Sequence, residues 1–449
     1  MRTLARWCFL FCVYTLQSAM ADVLECPADH QINATFSNGA AWHMCWHATA
    51  RENIVLTTVH YQPPATRAFQ VFNALSLSQL HVSYDDRNIV YNDVTQFGLG
   101  GNQAHPLDDN DCPAGQLHYQ AGAARLCSTV SQGPDQYQAL NGTRYAESVT
   151  VSSTSLVGAY AYLVSWKFFA NGSLQPSVGA AGALQRSSDD PQSRYGRKLD
   201  GVSDKSWLSH SHDYYWRLDF DLGDTGLDDT VTELSFDTDA NGRRARSEHR
   251  FTREAARAID PQRMNSWLIA DTSADMARGY LIEPVNYGHK LVERLNNPYT
   301  LYDVFITRHN DCEWFANENS VYYPDCADNA LAFVNDENIQ GEDIVLWHRL
   351  SFHHVPRNED RYTMHSHWDG FTVEARNLSA VTASNVSADV LAAIQNADEP
   401  VQERRHAASG CTTGNNQRTG NQVLLILLAG MGLCRRFALS VSSLDPQAS

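Results

Sequence analysis

The sequence predicts a mainly β protein, a large antiparallel β-sandwich with few short helices. Aromatic residues are plentiful, with 19 Tyr, 17 Phe and 10 Trp among 449 residues, and aromatic side chains are enriched in strands. Hydrophobic residues make up 43% of the chain and charged residues only 19%, so the chain can bury a large core and global disorder is excluded. Strand patterns do not alternate regularly with helical ones, which argues against an α/β fold.

Alternating apolar and polar residues indicate where the strands lie. The rows Leu75 to Tyr84, Trp216 to Leu222 and Leu346 to His354 have this period of two, which is typical of half-buried strands. Helical signals are few, and the best short candidates are Arg253 to Ile259 and Val386 to Ala397.

The first row predicts a face as well as a strand. Leu75, Leu77 and Gln79 are spaced two apart, so we expect their side chains to share one face, with Leu80 on the other.

The charge balance excludes one class of function. Lys and Arg number 34 against 51 Asp and Glu, which gives a formal net charge of −17. A nucleic-acid binder needs clustered Lys and Arg for the phosphates, so nucleic acid is not an expected partner.

The chain divides into five predicted segments. Residues 1–21 are a signal peptide, 22–40 an N-terminal segment and 41–382 the large β-sandwich. Residues 383–410, rich in Ala, Ser, Asn and charge, are a linker, and 411–449 are a C-terminal tail.

The first segment has the three features of a secretory signal. Arg2 and Arg6 provide the positive start, Trp7 to Leu16 the apolar stretch, and Ala19-Met20-Ala21 a cleavage site of small residues. We therefore expect the mature protein to lie in an oxidising compartment.

The tail suggests anchoring. Val423 to Leu433 is a run of eleven apolar or Gly residues, shorter than the roughly 20 that span a bilayer, and Arg435-Arg436 follows it. With Cys411 ahead of the run, the pattern resembles the sorting tails of Gram-negative surface proteins, which implies cleavage near Cys411 and attachment to the surface. The protein is thus predicted to be secreted or anchored at the cell surface. Five glycosylation sequons would instead fit a eukaryotic secreted protein, at Asn33, Asn141, Asn171, Asn377 and Asn385.

The mature chain keeps eight cysteines, and six of them form near-neighbour pairs. Spacing alone cannot decide among the 15 connectivities that six cysteines allow, and no C-x-x-C metal spacing occurs. Local pairing predicts the bonds Cys26–Cys45, Cys112–Cys127 and Cys312–Cys326.

A candidate metal site begins with His210-Ser211-His212. Residues two apart on a strand point to one face, so both imidazoles can converge on one ion. His354 ends the row of the later strand and could provide a third ligand. Three imidazoles suit zinc or copper, and the count of ligands does not separate the two.

Five segments together resemble a known family. H-x-H leads into a D-x-D strand (His210 to Asp221), and a D-I-V-L-W strand ends in H-x-P-x-x-E-D (Asp343 to Asp360). The stretches Leu75 to Tyr84, Tyr91 to Gly100 and Leu156 to Tyr162 are similar to the family's remaining motifs, in the same order. The chain therefore resembles the catalytic domain of the copper-containing amine oxidases, in patches between about residues 42 and 377.

The resemblance implies a fold, a reaction and a copper site. The fold would be the β-supersandwich of that catalytic domain. The reaction would be oxidative deamination of a primary amine by O₂ to an aldehyde, ammonia and hydrogen peroxide. By this likeness His210, His212 and His354 would bind Cu(II), and Tyr160 would be the precursor of the cofactor topaquinone. Family members are homodimers, so a homodimer is implied.

Further roles are implied one by one. Asp93 would be the base that takes a proton from the α-carbon of the substrate. Tyr84 would donate a hydrogen bond to the ring oxygen of the cofactor, and Met364 sits where the family often has a methionine near copper. The motif His365-Ser366-His367 has no family counterpart and no predicted role.

A second, structural metal site is also implied. Calcium would bind the carboxylates of Asp219, Asp221 and Asp343 and the backbone carbonyls of Phe220 and Ile344. Carboxylates on the strand face opposite the His pair fit the preference of calcium for hard oxygen ligands.

The cofactor motif departs from the family pattern at three positions. Leu156, Ala159 and Ala161 stand where the family has Thr, Asn and Asp or Glu, and the last two orient the cofactor. This leaves an alternative open, in which the chain is a catalytically impaired copper-binding homologue that acts as a non-enzymatic surface binding protein. A zinc hydrolase using the same three histidines is a second alternative, although no H-E-x-x-H or G-x-S-x-G motif occurs.

Overall fold

Two large antiparallel sheets dominate the structure, a computed structural model. It describes residues 24–378 apart from 87–88, 140–141, 188–193, 200–204, 224, 274–276 and 285–296, and no side chains between 134 and 145. These residues belong to one unit, Met1–Asn385; the second unit, Val386–Ser449, lies outside the described residues. The predicted signal peptide, the helix at Val386 to Ala397, the linker and the tail therefore lie outside them too.

The first sheet has nine strands, numbered along the whole chain. They are β1 (Gln31–Thr35), β2 (Ala41–Ala48), β3 (Ile54–Gln62), β4 (Phe69–Tyr84), β5 (Val90–Asn92), β14 (His210–Gly223), β17 (Ala255–Arg257), β20 (Val304–Arg308) and β21 (Ile344–His354). Their order is β1-β2-β3-β4-β14-β21-β20-β17, and β5 pairs with β4 as a branch.

The second sheet has eleven strands. They are β6 (Gln116–Gln120), β7 (Ala123–Ala139), β8 (Gly142–Val157), β9 (Tyr160–Phe169), β10 (Leu174–Gly182), β15 (Asp229–Thr238), β16 (Arg244–Arg250), β18 (Ser266–Asp271), β19 (Gly279–Ile282), β22 (Met364–Gly370) and β23 (Val373–Arg376). Their order is β16-β15-β18-β19-β23-β10-β9-β8-β7-β6, with β22 on β10. A small third sheet has the order β11 (Arg186–Ser187), β13 (Ser206–Leu208) and β12 (Gly196–Arg197).

Helices are short, as predicted. The α-helix α1 spans Ala330–Phe333, and Asp93–Phe97 forms one turn of π-helix. The 3₁₀ turns are Ala28–His30, Gly101–Gln103, Gly226–Asp228, Pro298–Leu301, Asn319–Val321 and Asn358–Arg361. Among the described residues, no helix is long and apolar enough to cross a bilayer.

The two large sheets pack face to face over an aromatic core. Trp166 on β9 meets Trp216 on β14 edge to face, with ring centroids 4.9 Å apart. Trp42 on β2 meets Phe168 on β9 at 5.0 Å. Both Trp166 and Trp216 are fully buried, so the predicted β-sandwich is confirmed.

The N-terminal segment contributes to this fold. β1 lies within residues 22–40 and pairs with β2, and the disulfide Cys26–Cys45 links the chain just before β1 to β2. The disulfides Cys112–Cys127 and Cys312–Cys326 are also formed, so all three predicted pairs are confirmed.

The helix predicted at Arg253 to Ile259 is wrong. Ala255–Arg257 forms the edge strand β17, paired with Val304–Ile306 of β20. Tertiary pairing outweighs the helical propensity of this stretch, because the strand hydrogen bonds and the burial of Ala255 are available only at the sheet edge.

The predicted faces of β4 are wrong beyond Leu77, because a bulge changes the phase of the strand. In the pairing with β14, Leu77 lies opposite Trp216 and Gln79 opposite Tyr215, so Ser78 is the extra residue. The Ser78 hydroxyl donates to the Tyr215 carbonyl at 3.0 Å. Leu80, Val82 and Tyr84 therefore join Leu75 and Leu77 in the core between the sheets, while Gln79 faces the other way.

The outer face of the first sheet is also covered. The segment after Asn297 packs Tyr299, Ala316 and Phe333 against Tyr215 and Trp347 of the sheet. Both faces of the central strand β14 are thus buried, and side chains on either face are removed from solvent.

Candidate functional site

Three of the predicted site residues form one row across the first sheet. In the register of the strands, His210 on β14 lies opposite Tyr84 on β4 and opposite His354 on β21. His212 follows two residues later on the same face. The ring centroid of His210 lies 4.8 Å from that of His212 and 5.5 Å from that of His354.

The ring nitrogens of these histidines fit a metal. His212 Nε2 is buried and has no hydrogen-bond partner among the described residues, whereas His210 has a backbone hydrogen bond to Leu208. The second nitrogen of His212, Nδ1, lies 2.9 Å from the Tyr214 hydroxyl, and His354 Nε2 lies 2.8 Å from Asp360 Oδ2. A carboxylate on the outer nitrogen of a ligating imidazole fixes the ring and leaves Nδ1 of His354 to face an ion.

Burial keeps the imidazoles neutral. Desolvation, together with the neighbouring imidazoles, lowers the pKa of His212 to about 3 and that of His210 well below its ordinary value. Desolvation also lowers the pKa of His354, against the opposing effect of Asp360. The neutral form is the one that binds metals.

The ligand atoms of the three histidines are farther apart than those of a compact metal site. The described group whose ligand atoms all lie within 4.8 Å of one another is Asp219, His309 and Asp343, at the opposite end of β14. The three imidazoles would therefore have to draw closer together to surround one ion.

Tyr160 lies directly beside the histidines. β8 and β9 are joined by the two-residue turn Gly158-Ala159, where Gly158 has a φ of +60°, and Tyr160 is the first residue of β9. Its hydroxyl lies 3.4 Å from His210 Nε2, and its ring centroid lies 5.6 Å from that of His212. The Tyr160 and Tyr84 hydroxyls are hydrogen-bonded to each other, and burial raises the pKa of both phenols.

Asp93 is a buried carboxylic acid near this tyrosine. It opens the one-turn π-helix and is only 5% exposed. Tyr162, two residues after Tyr160, donates its hydroxyl proton to Asp93 Oδ2 at 2.7 Å. Desolvation raises the pKa of Asp93 to about 6, although the bond from Tyr162 lowers it. The group is therefore available as a base at neutral pH.

One cavity of about 440 Å³ joins these groups. Tyr84, Asp93, Tyr160 and Tyr162 all line it, and Phe97 stands half-exposed among the lining residues. The rest of the lining is uncharged, with Val82, Tyr91, Gln103, Val157, Gly158, Ala159, Ala183 and Gln185. Asp93 is the single charged side chain among these described lining residues.

The other predicted residues lie at varied distances from this centre. Met364 is buried at the start of β22, and Gly182 of β10 separates it from Tyr160 in the sheet. His367 stacks on Phe352 and lies 3.2 Å from Asp369 Oδ1. His365 is exposed. The prediction assigned no role to His365 or His367.

The predicted calcium ligands lie close together but are already neutralised in part. Asp219 Oδ2 is 3.1 Å from Arg217 Nη1 and 3.2 Å from His309 Nδ1. The hydrogen bond to Asp219 raises the pKa of His309 to about 9, so both partners are cations at neutral pH. Phe220 lies opposite Ile344 in the strand register, and carboxylate oxygens of Asp221 and Asp343 both lie close to Gly226. Calcium at this position stays a prediction.

Several contacts of the site were not predicted from the sequence. Asp360, Tyr214 and Tyr162 each hold a site residue by one hydrogen bond. Tyr162 lies within the cofactor-like motif and Asp360 within the H-x-P-x-x-E-D turn. Their spacing from the predicted site residues was therefore the one sequence signal that could have indicated these contacts. Tyr214 carried the same signal, since it follows His212 by two residues.

A protein-family model described as copper amine oxidase, enzyme domain, matches residues 134–396. A primary amine oxidase of Pisum sativum is 24% identical over 381 residues, which cover 74% of this chain and 56% of that protein. A primary amine oxidase of an Arthrobacter species is 25% identical over 388 residues, covering 75% and 57%. The chain thus spans less than two thirds of the length of these curated relatives.

Solved structures share the fold. A copper-containing benzylamine oxidase from Hansenula polymorpha superposes with a TM-score of 0.65 at 18% identity, over 77% of this chain and 60% of that one. An amine oxidase from Aspergillus nidulans has a TM-score of 0.63 at 18% identity, over 84% and 56%.

Proposed function

The chain belongs to the copper amine oxidase family, and from this premise we propose that it oxidises primary amines. The products would be an aldehyde, ammonia and hydrogen peroxide, with O₂ and water consumed. One observation carries the proposal: the Tyr160 hydroxyl lies 3.4 Å from a buried His210 nitrogen, in a cavity that also contains Asp93.

The cofactors would use residues already in place. His210, His212 and His354 would hold copper, and a topaquinone made from Tyr160 would supply a carbonyl that reacts with the amine and accepts two electrons. The unpaired Nε2 of His212 supports copper at this position, because a buried unpaired nitrogen costs free energy unless a ligand compensates it.

The remaining chemistry would belong to Asp93. Its carboxylate would accept the proton from the α-carbon of the substrate, and general-base catalysis of this kind contributes roughly 10² to 10⁴ in rate. A pKa of about 6 leaves the group ionised at neutral pH and still basic enough to take a proton. Tyr162 would aim it, since the hydrogen bond of 2.7 Å fixes one carboxylate oxygen.

The cavity favours amines with an apolar tail. Beyond Asp93 its described lining is apolar or uncharged, so a second ammonium group would find no ionic partner there. We therefore propose monoamines such as benzylamine as better substrates than diamines such as putrescine.

The test uses the full chain, loaded with copper in air. The mass of the Tyr160 peptide should show an oxidised ring, and benzylamine should yield hydrogen peroxide with a higher kcat/KM than putrescine. An unmodified Tyr160 in copper-loaded protein would overturn the proposal.

The residues on either side of Tyr160 support the second candidate, a copper-binding homologue without turnover. Ala159 is exposed and Ala161 half-buried, and neither methyl group can hydrogen-bond a ring beside it. That protein would retain copper, its Tyr160 would stay unmodified, and it would produce no hydrogen peroxide from amines. A zinc hydrolase would instead contain zinc, which elemental analysis would detect.

The remaining assignments are also proposals. We propose a homodimer, by analogy with the family, and secretion or surface anchoring through the predicted signal peptide and tail. Sedimentation of the purified protein and the N-terminal sequence of the mature chain test the two.

A further inference from the structure

The π-helical turn that carries Asp93 is held from a distant loop. Glu318 lies between Cys312 and Cys326, whose disulfide closes that loop. Its carboxylate accepts hydrogen bonds from side chains immediately around Asp93: Asn92 Nδ2 at 2.9 Å, Thr95 Oγ1 at 2.7 Å and Gln96 Nε2 at 2.7 Å. Three donors within five residues thus converge on one acceptor group.

Gln79 holds the same turn from the sheet. Its amide nitrogen donates to Thr95 Oγ1 at 2.8 Å and to the carbonyl of Asn317 at 3.0 Å, and its amide oxygen accepts from the Val94 N–H at 3.2 Å. The Thr95 hydroxyl accepts from Gln79 and donates to Glu318, so the sheet, the turn and the loop form one network. The bulge at Ser78 is what directs Gln79 toward this side.

The loop is itself fixed. Asn319 is fully buried, accepts from the Trp314 and Phe315 N–H groups and donates to the carbonyls of Cys312 and Ala327. Tyr322 donates its hydroxyl proton to the Thr95 carbonyl, which gives the loop a second contact with the turn.

The backbone of Glu318 has an unusual conformation. Its φ is +56°, in the left-handed region that residues other than Gly rarely adopt. Such strain persists where surrounding contacts enforce it, and it concentrates at functional sites. Here the contacts of Asn319 and of the Glu318 carboxylate enforce it.

We propose that Glu318 is a positioning residue, which braces the turn so that the Asp93 carboxylate faces Tyr160. The inference rests on the proposed function, because Asp93 is the base only in that reaction. Misplacing a reacting group by about 1 Å can cost roughly 10²-fold in rate, so a brace on its backbone would matter although it does not touch substrate.

The variants are Glu318→Ala, which removes all three acceptor contacts, and Glu318→Gln, which keeps an acceptor oxygen. Asp325→Ala is the matched control, an exposed carboxylate in the same disulfide-closed loop. We expect Glu318→Ala to lower kcat by about 10- to 100-fold with little change in KM, Glu318→Gln to restore part of it, and Asp325→Ala to match wild type.

Two readouts separate bracing from a general loss of structure. With an α-deuterated amine, Glu318→Ala should show a larger isotope effect on kcat than wild type, because proton transfer becomes slower than the other steps. In copper-free protein, amide hydrogen exchange of the peptide over residues 90–100 should be faster in Glu318→Ala and unchanged in Asp325→Ala.

The outcomes distinguish the two proposals. Absence of amine-dependent peroxide from wild type would overturn the proposed function. An active wild type with unchanged kcat and isotope effect in Glu318→Ala, or with unchanged exchange over residues 90–100, would overturn the brace alone.

Discussion

At the residue scale, substitution of His212 tests the proposed metal site. His212→Ala removes a buried imidazole with an unpaired nitrogen, so we expect copper retention and oxidation of Tyr160 both to be lost. Elemental analysis and the mass of the Tyr160 peptide measure the two effects. His249→Ala, which changes an exposed histidine on the distant strand β16, should leave both unchanged. Amine oxidation surviving in His212→Ala would contradict the assignment.

Asp93 predicts a pH dependence. In the proposed reaction Asp93 must be ionised to act as the base, so kcat/KM should rise with pH through about 6, its raised pKa. Asp93→Asn should lower kcat/KM by roughly 10² to 10⁴. Tyr162→Phe removes the hydrogen bond that lowers this pKa, so the acidic limb should move to higher pH. A limb that stays in place in Tyr162→Phe would argue against Asp93 as its source.

Ala159 and Ala161 predict a gain of function. The double variant Ala159→Asn with Ala161→Asp places polar groups on both sides of Tyr160. The methyl groups now present there cannot restrain a rotating ring. If ring orientation limits the proposed amine oxidation, the double variant should turn over faster than wild type at equal copper content. Unchanged or lower turnover would point to another limit.

At the scale of elements, β14 carries two candidate metal sites at its two ends. Arg217 and His309 already neutralise Asp219, so calcium has to compete with both cations. We expect millimolar calcium to raise the melting temperature of His309→Ala by more than that of wild type. Thermal unfolding with calcium and with a chelator measures this, and equal shifts in the two proteins would exclude competition.

The elements also show how much the sequence can reveal. The alternation at Trp216 to Leu222 predicted a strand, and the H-x-H spacing predicted two imidazoles on one face, because both depend only on local geometry. The bulge at Ser78 was not predictable, since Ser and Gln fit either face of a strand. Glu318 lies more than 200 residues from the turn it contacts, and no local pattern links the two.

At the scale of the whole molecule, stability depends on the contact between the large sheets. Trp166 is 1% exposed and packs on Trp216 across the interface. Trp166→Ala should lower the free energy of unfolding by about 3–5 kcal/mol, through lost burial and the cavity left behind. Urea unfolding followed by circular dichroism measures it. A loss below about 1 kcal/mol would mean that the sheets pack independently of this pair.

The row of Tyr84, His210 and His354 has a consequence for how such a chain can diverge. Each residue comes from a different strand, and side chains alternate between faces, so an insertion of one residue within β4, β14 or β21 would turn part of the row away from the cavity. Connections that carry no site residue, unlike the segments that hold Asp93 and Tyr160, are free of this constraint. Length variation among descendants should therefore accumulate in the connections, while inside the three strands only paired insertions that preserve the phase would leave the chemistry intact.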